Sequence, residues 1–370
     1  MKRLTQRAAG YLTGMLLAGV MPAVALATSV SAQACTSLVL PTTDGARIYG
    51  RTMEFEYDMK SALIALPRRF PLKGTGPEER AGLVWQGKYA AIGMNAFGLP
   101  LLLDGMNEKG LTGGILYFPG EAKYVPWEPT QSTRTLAPWE VLTWALTNFA
   151  TVAEVKAALK DIRVADVKQT QMGFTPPVHY TLHDATGASL VIEPQDGRLK
   201  VYDNPLGVVT NSPSFDWHLT NLRNYVNLHP ENVPPLKIGN VMVHPLGNGS
   251  GMHGIPGDAT PPSRFVKAAA YVLATQRVSD GPKGVRLVEH IMNNFDIPKG
   301  LILEEKTPPE YTQWTSVADL GEDRYYVKTW EVPVLHGVGF SDFDMNGAAI
   351  VRFPLPTDAT PSALKQAAAS

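Results

Sequence analysis

The chain has 370 residues, 44% of them hydrophobic and only 18% charged, enough to bury a large core in one domain or in two to three. Net charge is −1, and no run of Lys or Arg follows residue 34, so nothing supports nucleic-acid binding. Thirty-three Gly and thirty Pro against 9% aromatic residues point to a turn-rich, strand-rich protein rather than a helical bundle.

Residues 1–34 have the layout of a cleavable signal peptide. Lys2, Arg3 and Arg7 form a positive head, an apolar stretch runs from Ala8 to Ala27, and Ala32-Gln33-Ala34 supplies the small-residue cleavage site. Gly10, Gly14, Gly19 and Pro22 argue against an uncleaved membrane anchor. Removal would leave 336 residues and lower the net charge from −1 to −4, since three cations and no anion depart. No other stretch is long and apolar enough to span a bilayer. A periplasmic or secreted protein is the expectation.

Along the remaining chain, Thr36–Pro41 and Arg47–Met53 read as strands joined by the turn Thr43-Asp44-Gly45. Ala62–Leu66, Leu83–Trp85, Leu101–Leu103 and Leu111–Phe118 continue the pattern, with Asn107–Gly110 as a turn before the last. Leu136–Phe149 and Val152–Leu159 have helical spacing, and Thr151 with Glu154 forms a capping box for the second. Strands are predicted at Val178–His183, Ser189–Glu193 and Leu199–Tyr202, and helices at Phe215–Val226, Phe265–Thr275 and Val285–Asn294. Trp314–Asp319, Tyr325–Glu331 and Ala348–Arg352 close the chain with strands. Most connections are too short for parallel crossovers, so the fold class is α+β, antiparallel sheets covered by helices. No composition break divides residues 35–356, which form one domain; residues 357–370 read as a flexible tail.

The single cysteine, Cys35, directly follows the cleavage site. An exported protein with one Cys has no internal disulfide, and its free thiol calls for a reason. Three readings compete: an inert buried residue, a lipid attachment point, and a nucleophile. Ala32, where a lipoprotein signal would have an apolar Leu, weakens the second, and a new chain terminus weakens the first. The third has a simple chemistry. Cleavage would put a free α-amine, ordinarily titrating near ~7.7–8.0, on the residue that carries the thiol. That amine can take the thiol proton and later return it to a leaving amine, so no His is needed. None of the eight His stands in a cysteine-protease context, and His179/His183 lie in a strand without a third zinc ligand. No cofactor or metal is expected.

The blocks Cys35-Thr36-Ser37, Gly50-Arg51-Thr52-Met53-Glu54-Phe55, Asp104–Leu111, Tyr117–Gly120, Val209–Asp216, Asn221–Tyr225, Gly251–Asp258 and Pro262–Val266 occur in that order. Together they resemble the choloylglycine hydrolase and penicillin V acylase family, N-terminal nucleophile hydrolases of linear amides. The resemblance implies a four-layered αββα sandwich. It implies Cys35 as nucleophile and, through its amine, as base, with Arg51 beside the thiolate and Arg264 behind the site. Asn211 and the main chain at Tyr117 would form the oxyanion hole. Glu54 stands where the family usually has an Asp that steadies the α-amine, at the same charge with one methylene more. It further implies thiolate attack, a thioester and hydrolysis by water, on an amide with an apolar acyl group. A penicillin V acylase or N-acyl homoserine lactone acylase ranks first, a bile-salt hydrolase second. A non-catalytic exported binding protein or lipoprotein of the same fold is the rival of another class. Members of this family are commonly tetramers, so a homotetramer is an expectation too.

Overall fold

The computed structural model describes residues 34–303, 307–358 and 360. The signal-peptide assignment and most of the expected tail lie outside them. In chain order the principal strands are β1 (Thr36–Pro41), β2 (Arg47–Phe55), β3 (Leu63–Leu66), β4 (Ala91–Met94), β5 (Asp104–Asn107) and β6 (Thr112–Tyr117). They continue with β7 (Val178–His183), β8 (Ser189–Gln195), β9 (Arg198–Asp203), β10 (Tyr311–Asp319), β11 (Arg324–Thr329), β12 (His336–Gly339) and β13 (Val351–Phe353). The α-helices are α1 (Val141–Asn148), α2 (Val152–Ala158), α3 (Phe215–Leu222), α4 (Pro261–Ala274) and α5 (Gly281–Met292).

A five-stranded sheet runs β1-β2-β10-β11-β12 and an eight-stranded sheet runs β9-β8-β7-β6-β5-β4-β3-β13, with every pairing antiparallel. Helices α4 and α5 cover the outer face of the smaller sheet, and α1 covers the larger one. The layers are helix, sheet, sheet, helix.

This arrangement explains why β2 is buried on both faces, eight of its nine residues being closed to solvent. Side chains alternate along a strand. Tyr49, Arg51 and Met53 enter the space between the sheets, whereas Gly50, Thr52 and Glu54 face the helices. Gly50 has to be glycine because a β-carbon there would stand 2.4 Å from Val288 of α5. Each face of β2 therefore sees a different chemistry.

Two expected elements differ. Leu101–Leu103 is buried but irregular, and the strand begins at Asp104; the Leu102 N–H donates to Thr143 Oγ1, not to a strand neighbour. The first expected helix starts at Val141, after Thr135–Leu136 pairs in parallel with Arg163–Val164. Thr151 caps α2 through the Glu154 N–H at 3.2 Å, but the Glu154 carboxylate reaches Ala150 N, one residue before the reciprocal capping position. Leu236–Ile238 and Val241–Val243 form a separate hairpin whose six residues are all exposed. Among the described residues no helix is long and apolar enough to cross a membrane.

Candidate active site

Cys35 precedes β1 and is 2% exposed. Its position is set by two pairings. β1 pairs with β2 so that Thr36 opposes Thr52 and Ser37 opposes Arg51, while Ser37 also bonds Val209 in both directions at 2.9 and 3.0 Å. The first brings Arg51 beside the thiol and the second delivers Asn211, two residues beyond Val209.

On the inner face, Arg51 Nη2 is 3.7 Å from Cys35 Sγ. The guanidinium is held by the carbonyls of Leu103 (2.9 Å) and Ile115 (2.6 Å), and its plane lies 5.0 Å from the Trp314 ring centre. Asp104 supplies the countercharge at 3.8 Å and accepts hydrogen bonds from Tyr49 (2.6 Å), Ser316 (2.6 Å) and Tyr325 (2.7 Å). Gly114 leaves room for this cluster, since a β-carbon there would meet Tyr49 Oη at 2.8 Å and Asp104 Oδ2 at 2.9 Å. Burial works against the charge on Arg51, but the neighbouring Cys35 and Asp104 more than offset it and raise its pKa. Burial raises Asp104 in turn, against the pull of Arg51 and the hydroxyls. Arg51 thus sets a permanent cation beside the sulfur, the atom that would attack a carbonyl.

On the other side, the Cys35 N–H donates to Asn211 Oδ1 at 2.8 Å. Asn211 Oδ1 also accepts from Arg264 Nη2 at 2.7 Å, and Asn211 Nδ2 donates to the Tyr117 carbonyl at 2.8 Å. Arg264, on the first turns of α4, donates as well to the Cys35 carbonyl, to Thr36 Oγ1 (2.8 Å) and to Ala259 O (2.8 Å). Burial lowers its pKa while the charges of Glu54, Cys35 and Glu310 oppose the loss.

The predicted residues thus converge, with two changes of detail. Glu54, expected at the α-amine, makes its hydrogen bonds to Thr312 (2.7 Å) and Thr52 (3.2 Å), and the group bonded to the Cys35 nitrogen is Asn211. The reason is strand parity, which turns Glu54 to the helix face, where it acts on its surroundings by charge, chiefly with Arg264. Burial pushes the Glu54 pKa up to about 8, against Thr312, Arg264 and Thr52. At Tyr117 the group that meets the Asn211 amide is the carbonyl; its side chain lines the pocket and packs edge-on to Phe55 with centroids 6.0 Å apart.

Sequence reasoning passed over Glu310, which accepts the Ala34 N–H and is 4% exposed, and gave Asp104 no role. Asp104 had a signal, as the acid that heads the block Asp104–Leu111. Glu310 had none, because it reaches Ala34 across 276 positions of sequence. His179 and His183 are both buried, and His183 bonds Thr181 and Ser189 hydroxyls at 2.9 and 2.8 Å.

Beside the sulfur opens a small pocket lined by Met53, Phe55, Met59, Leu99, Leu101, Leu103, Ile115, Tyr117 and Met172, among others. Besides Cys35 and Arg51, the lining residues that carry polar side-chain atoms are Tyr117, Trp139 and Gln169. That lining suits the apolar part of a small ligand. A thiol and a cation in the wall of such a pocket, with an amide at the nitrogen of the same cysteine, are the parts of an acyl-transfer centre.

Residues 35–353 match the model of linear amide C–N hydrolases, choloylglycine hydrolase family. The chain is 35% identical over 323 residues to a bile salt hydrolase/transferase of Clostridium perfringens, covering 86% of this chain and 96% of that one. A crystal structure of a variant conjugated bile acid hydrolase from the same organism superposes with a TM-score of 0.79 at 33% identity, covering 89% of this chain and 99% of that one. A penicillin V acylase of Pectobacterium atrosepticum is 27% identical, covering 87% of this chain and 85% of that one. These matches reverse the ranking of relatives expected from the sequence. They also set aside the non-catalytic alternative, because the family is one of amide hydrolases. From its first strand to its last, the chain belongs to the choloylglycine hydrolase family of linear amide C–N hydrolases.

Proposed function

We propose that this hydrolase cleaves the amide of conjugated bile acids, with Cys35 as nucleophile, after removal of residues 1–34. The observation that carries the reading is the placement of Cys35 Sγ and Arg51 together in the wall of a pocket whose remaining lining is largely apolar. An apolar acyl group would pack against that lining and leave its amide at the sulfur, and the bile salt hydrolase relatives rank above the penicillin V acylase in identity.

In this reading the chain is exported and the new α-amine of Cys35 lies where its N–H now meets Asn211 Oδ1. The amine takes the thiol proton, the thiolate attacks the amide carbon, and charge collects on the carbonyl oxygen. The Asn211 Nδ2–H, which donates to the Tyr117 carbonyl in the resting chain, would turn to that oxygen as its donor. Collapse expels the amine of the conjugate with the proton, leaving a thioester, and water completes the cycle with the α-amine again as base.

A second reading rests on the edge-on Phe55–Tyr117 pair in the pocket wall, which suits a flat aryl acyl group such as that of penicillin V. The deciding experiment compares kcat/KM of the processed protein on a glycine-conjugated bile acid, penicillin V and a long-chain N-acyl homoserine lactone. The proposal expects the first to lead by at least roughly tenfold, or about 1.4 kcal/mol of transition-state discrimination. A lead by either of the others overturns it.

A further inference from the structure

Asn211 can serve Cys35 only if its main chain is fixed, and two buried imidazoles outside the reacting set hold that main chain. His218 on α3 is 2% exposed and its Nε2 lies 2.8 Å from the Asn211 carbonyl oxygen. His179 on β7 is 1% exposed and its Nε2 lies 2.9 Å from the carbonyl of the preceding Thr210. A carbonyl only accepts, so both Nε2 atoms carry the hydrogen and donate. Each ring is stacked flat on a phenylalanine: His179 on Phe118 at 4.3 Å and 8°, His218 on Phe265 at 4.6 Å and 13°.

The anchoring extends outward. His179 Nδ1 is 3.4 Å from Glu193 Oε1, which also accepts the Phe215 N–H at 2.8 Å and so ties the start of α3 to β8. His218 Nδ1 has no hydrogen-bond partner among the described residues, which suits a neutral ring, and burial lowers its pKa to about 4. With Val209 fixed to Ser37, the residues 209, 210 and 211 are held through three successive carbonyls. The Asn211 side chain meanwhile makes three bonds, to the Cys35 nitrogen, Arg264 and the Tyr117 carbonyl, which a short side chain can satisfy together only from one backbone position.

We infer that His218, backed by His179, is a positioning residue that sets the Asn211 amide in register with Cys35. The inference rests on the proposed function only in counting Asn211 among the working groups. A displacement of about 1 Å in such a group can cost up to 10²-fold in rate without touching substrate affinity.

The test uses the full chain, expressed and processed, with His218→Phe, His218→Gln, Asn211→Ala and the double variant His218→Phe/Asn211→Ala. His218→Phe keeps a stacked ring and removes the donor, whereas His218→Gln keeps an N–H. Two readouts are taken: kcat and KM on a glycine-conjugated bile acid, and the rate of Cys35 alkylation by iodoacetamide, which needs no substrate. Expected are a roughly tenfold fall in kcat for His218→Phe with KM within about twofold, and recovery to within roughly threefold of wild type for His218→Gln. Alkylation should shift in His218→Phe in the same direction as in Asn211→Ala. On the Asn211→Ala background the Phe substitution should add nothing, since its path of action is gone. Wild-type kcat and alkylation in His218→Phe, or full additivity in the double variant, overturns the inference. A wild-type protein inactive on the conjugate defeats the proposed substrate instead, and the alkylation series then judges the clamp alone. Should His218→Phe not fold, His218→Leu against His218→Gln gives the same contrast between a lost and a retained donor.

Discussion

The two faces of β2 show how one strand serves two purposes. Inward, Arg51 is fixed by main-chain carbonyls and by Asp104, and beyond it the wall is apolar. Outward, Glu54 lies among hydroxyls and the charges of Arg264 and Glu310. Cys35 sits at the strand pairing that joins the faces, its sulfur on one side and its nitrogen and carbonyl on the other. The alternation of a strand thereby keeps the acid and the thiol-stabilising cation from neutralising one another. In the proposed reaction the outward face would govern proton handling, and the inward face the attack by sulfur and the fit of the acyl group.

Variants can break or sharpen that division. Removing the group the faces share should have the largest effect: Cys35→Ala is expected to abolish turnover while changing stability by only about 1 kcal/mol, as one sulfur is lost from a chain end. Steady-state assay and thermal melting check both halves. Next, Asn211→Ala should lower kcat by roughly 10²–10³ through loss of an oxyanion donor. A decrease below about tenfold would leave Asn211 only a structural place.

The inward pocket should answer in a different parameter. Leu99→Ala, at the half-buried rim, removes about three methyl-sized groups, each worth up to about 0.8 kcal/mol of apolar contact. Raised KM for a steroid conjugate, roughly five- to tenfold, with kcat nearly unchanged, is the expected result. A fall in kcat at constant KM would show that the pocket wall shapes the chemistry and not just the fit.

The outward face should trade activity against stability. Burial holds the Glu54 pKa at about 8, above its ordinary 4.5, in the chain that retains Ala34. Between those values the folded protein keeps a proton that the unfolded chain has released, so stability falls as pH rises from 4.5 to 8 and levels off above. Glu54→Gln should remove most of this slope, which denaturant melts across that range would show. The same substitution should slow turnover by several-fold in the processed enzyme, because the carboxyl that pairs by charge with Arg264 is gone, and Glu54→Asp should slow it less. Equal activity of Gln and wild type would assign Glu54 to packing alone.

Much of this arrangement could be read from local residues. The spans of β1 and β7 come out as predicted, since both are apolar runs bounded by turn formers or Pro. Cys35, Arg51, Asn211 and Arg264 were recognisable because each stands in a distinctive block. The four residues of β4, all buried, gave no alternation to detect, and β5 begins at an Asp whose partners, Ser316 and Tyr325, are more than 200 positions away. Glu310 and His218 escaped for the same physical reason. Their roles come from tertiary hydrogen bonds, and their own neighbourhoods read as an ordinary loop and an ordinary amphipathic helix. The outward turn of Glu54 was available from strand parity, yet its partners were not.

The central claim is that Cys35, as the first residue of the processed chain, carries the acyl group of an apolar amide. Intact-mass spectrometry of protein isolated from the producing cell, and again after rapid quenching with a glycine-conjugated bile acid, tests it most directly. The account predicts a chain beginning at Cys35 with a free amine, which gains the mass of the acyl group as a hydroxylamine-labile thioester at that residue. A fully active protein that retains residues 1–34, a diacylglycerol adduct on Cys35, or turnover that survives Cys35→Ala would contradict it.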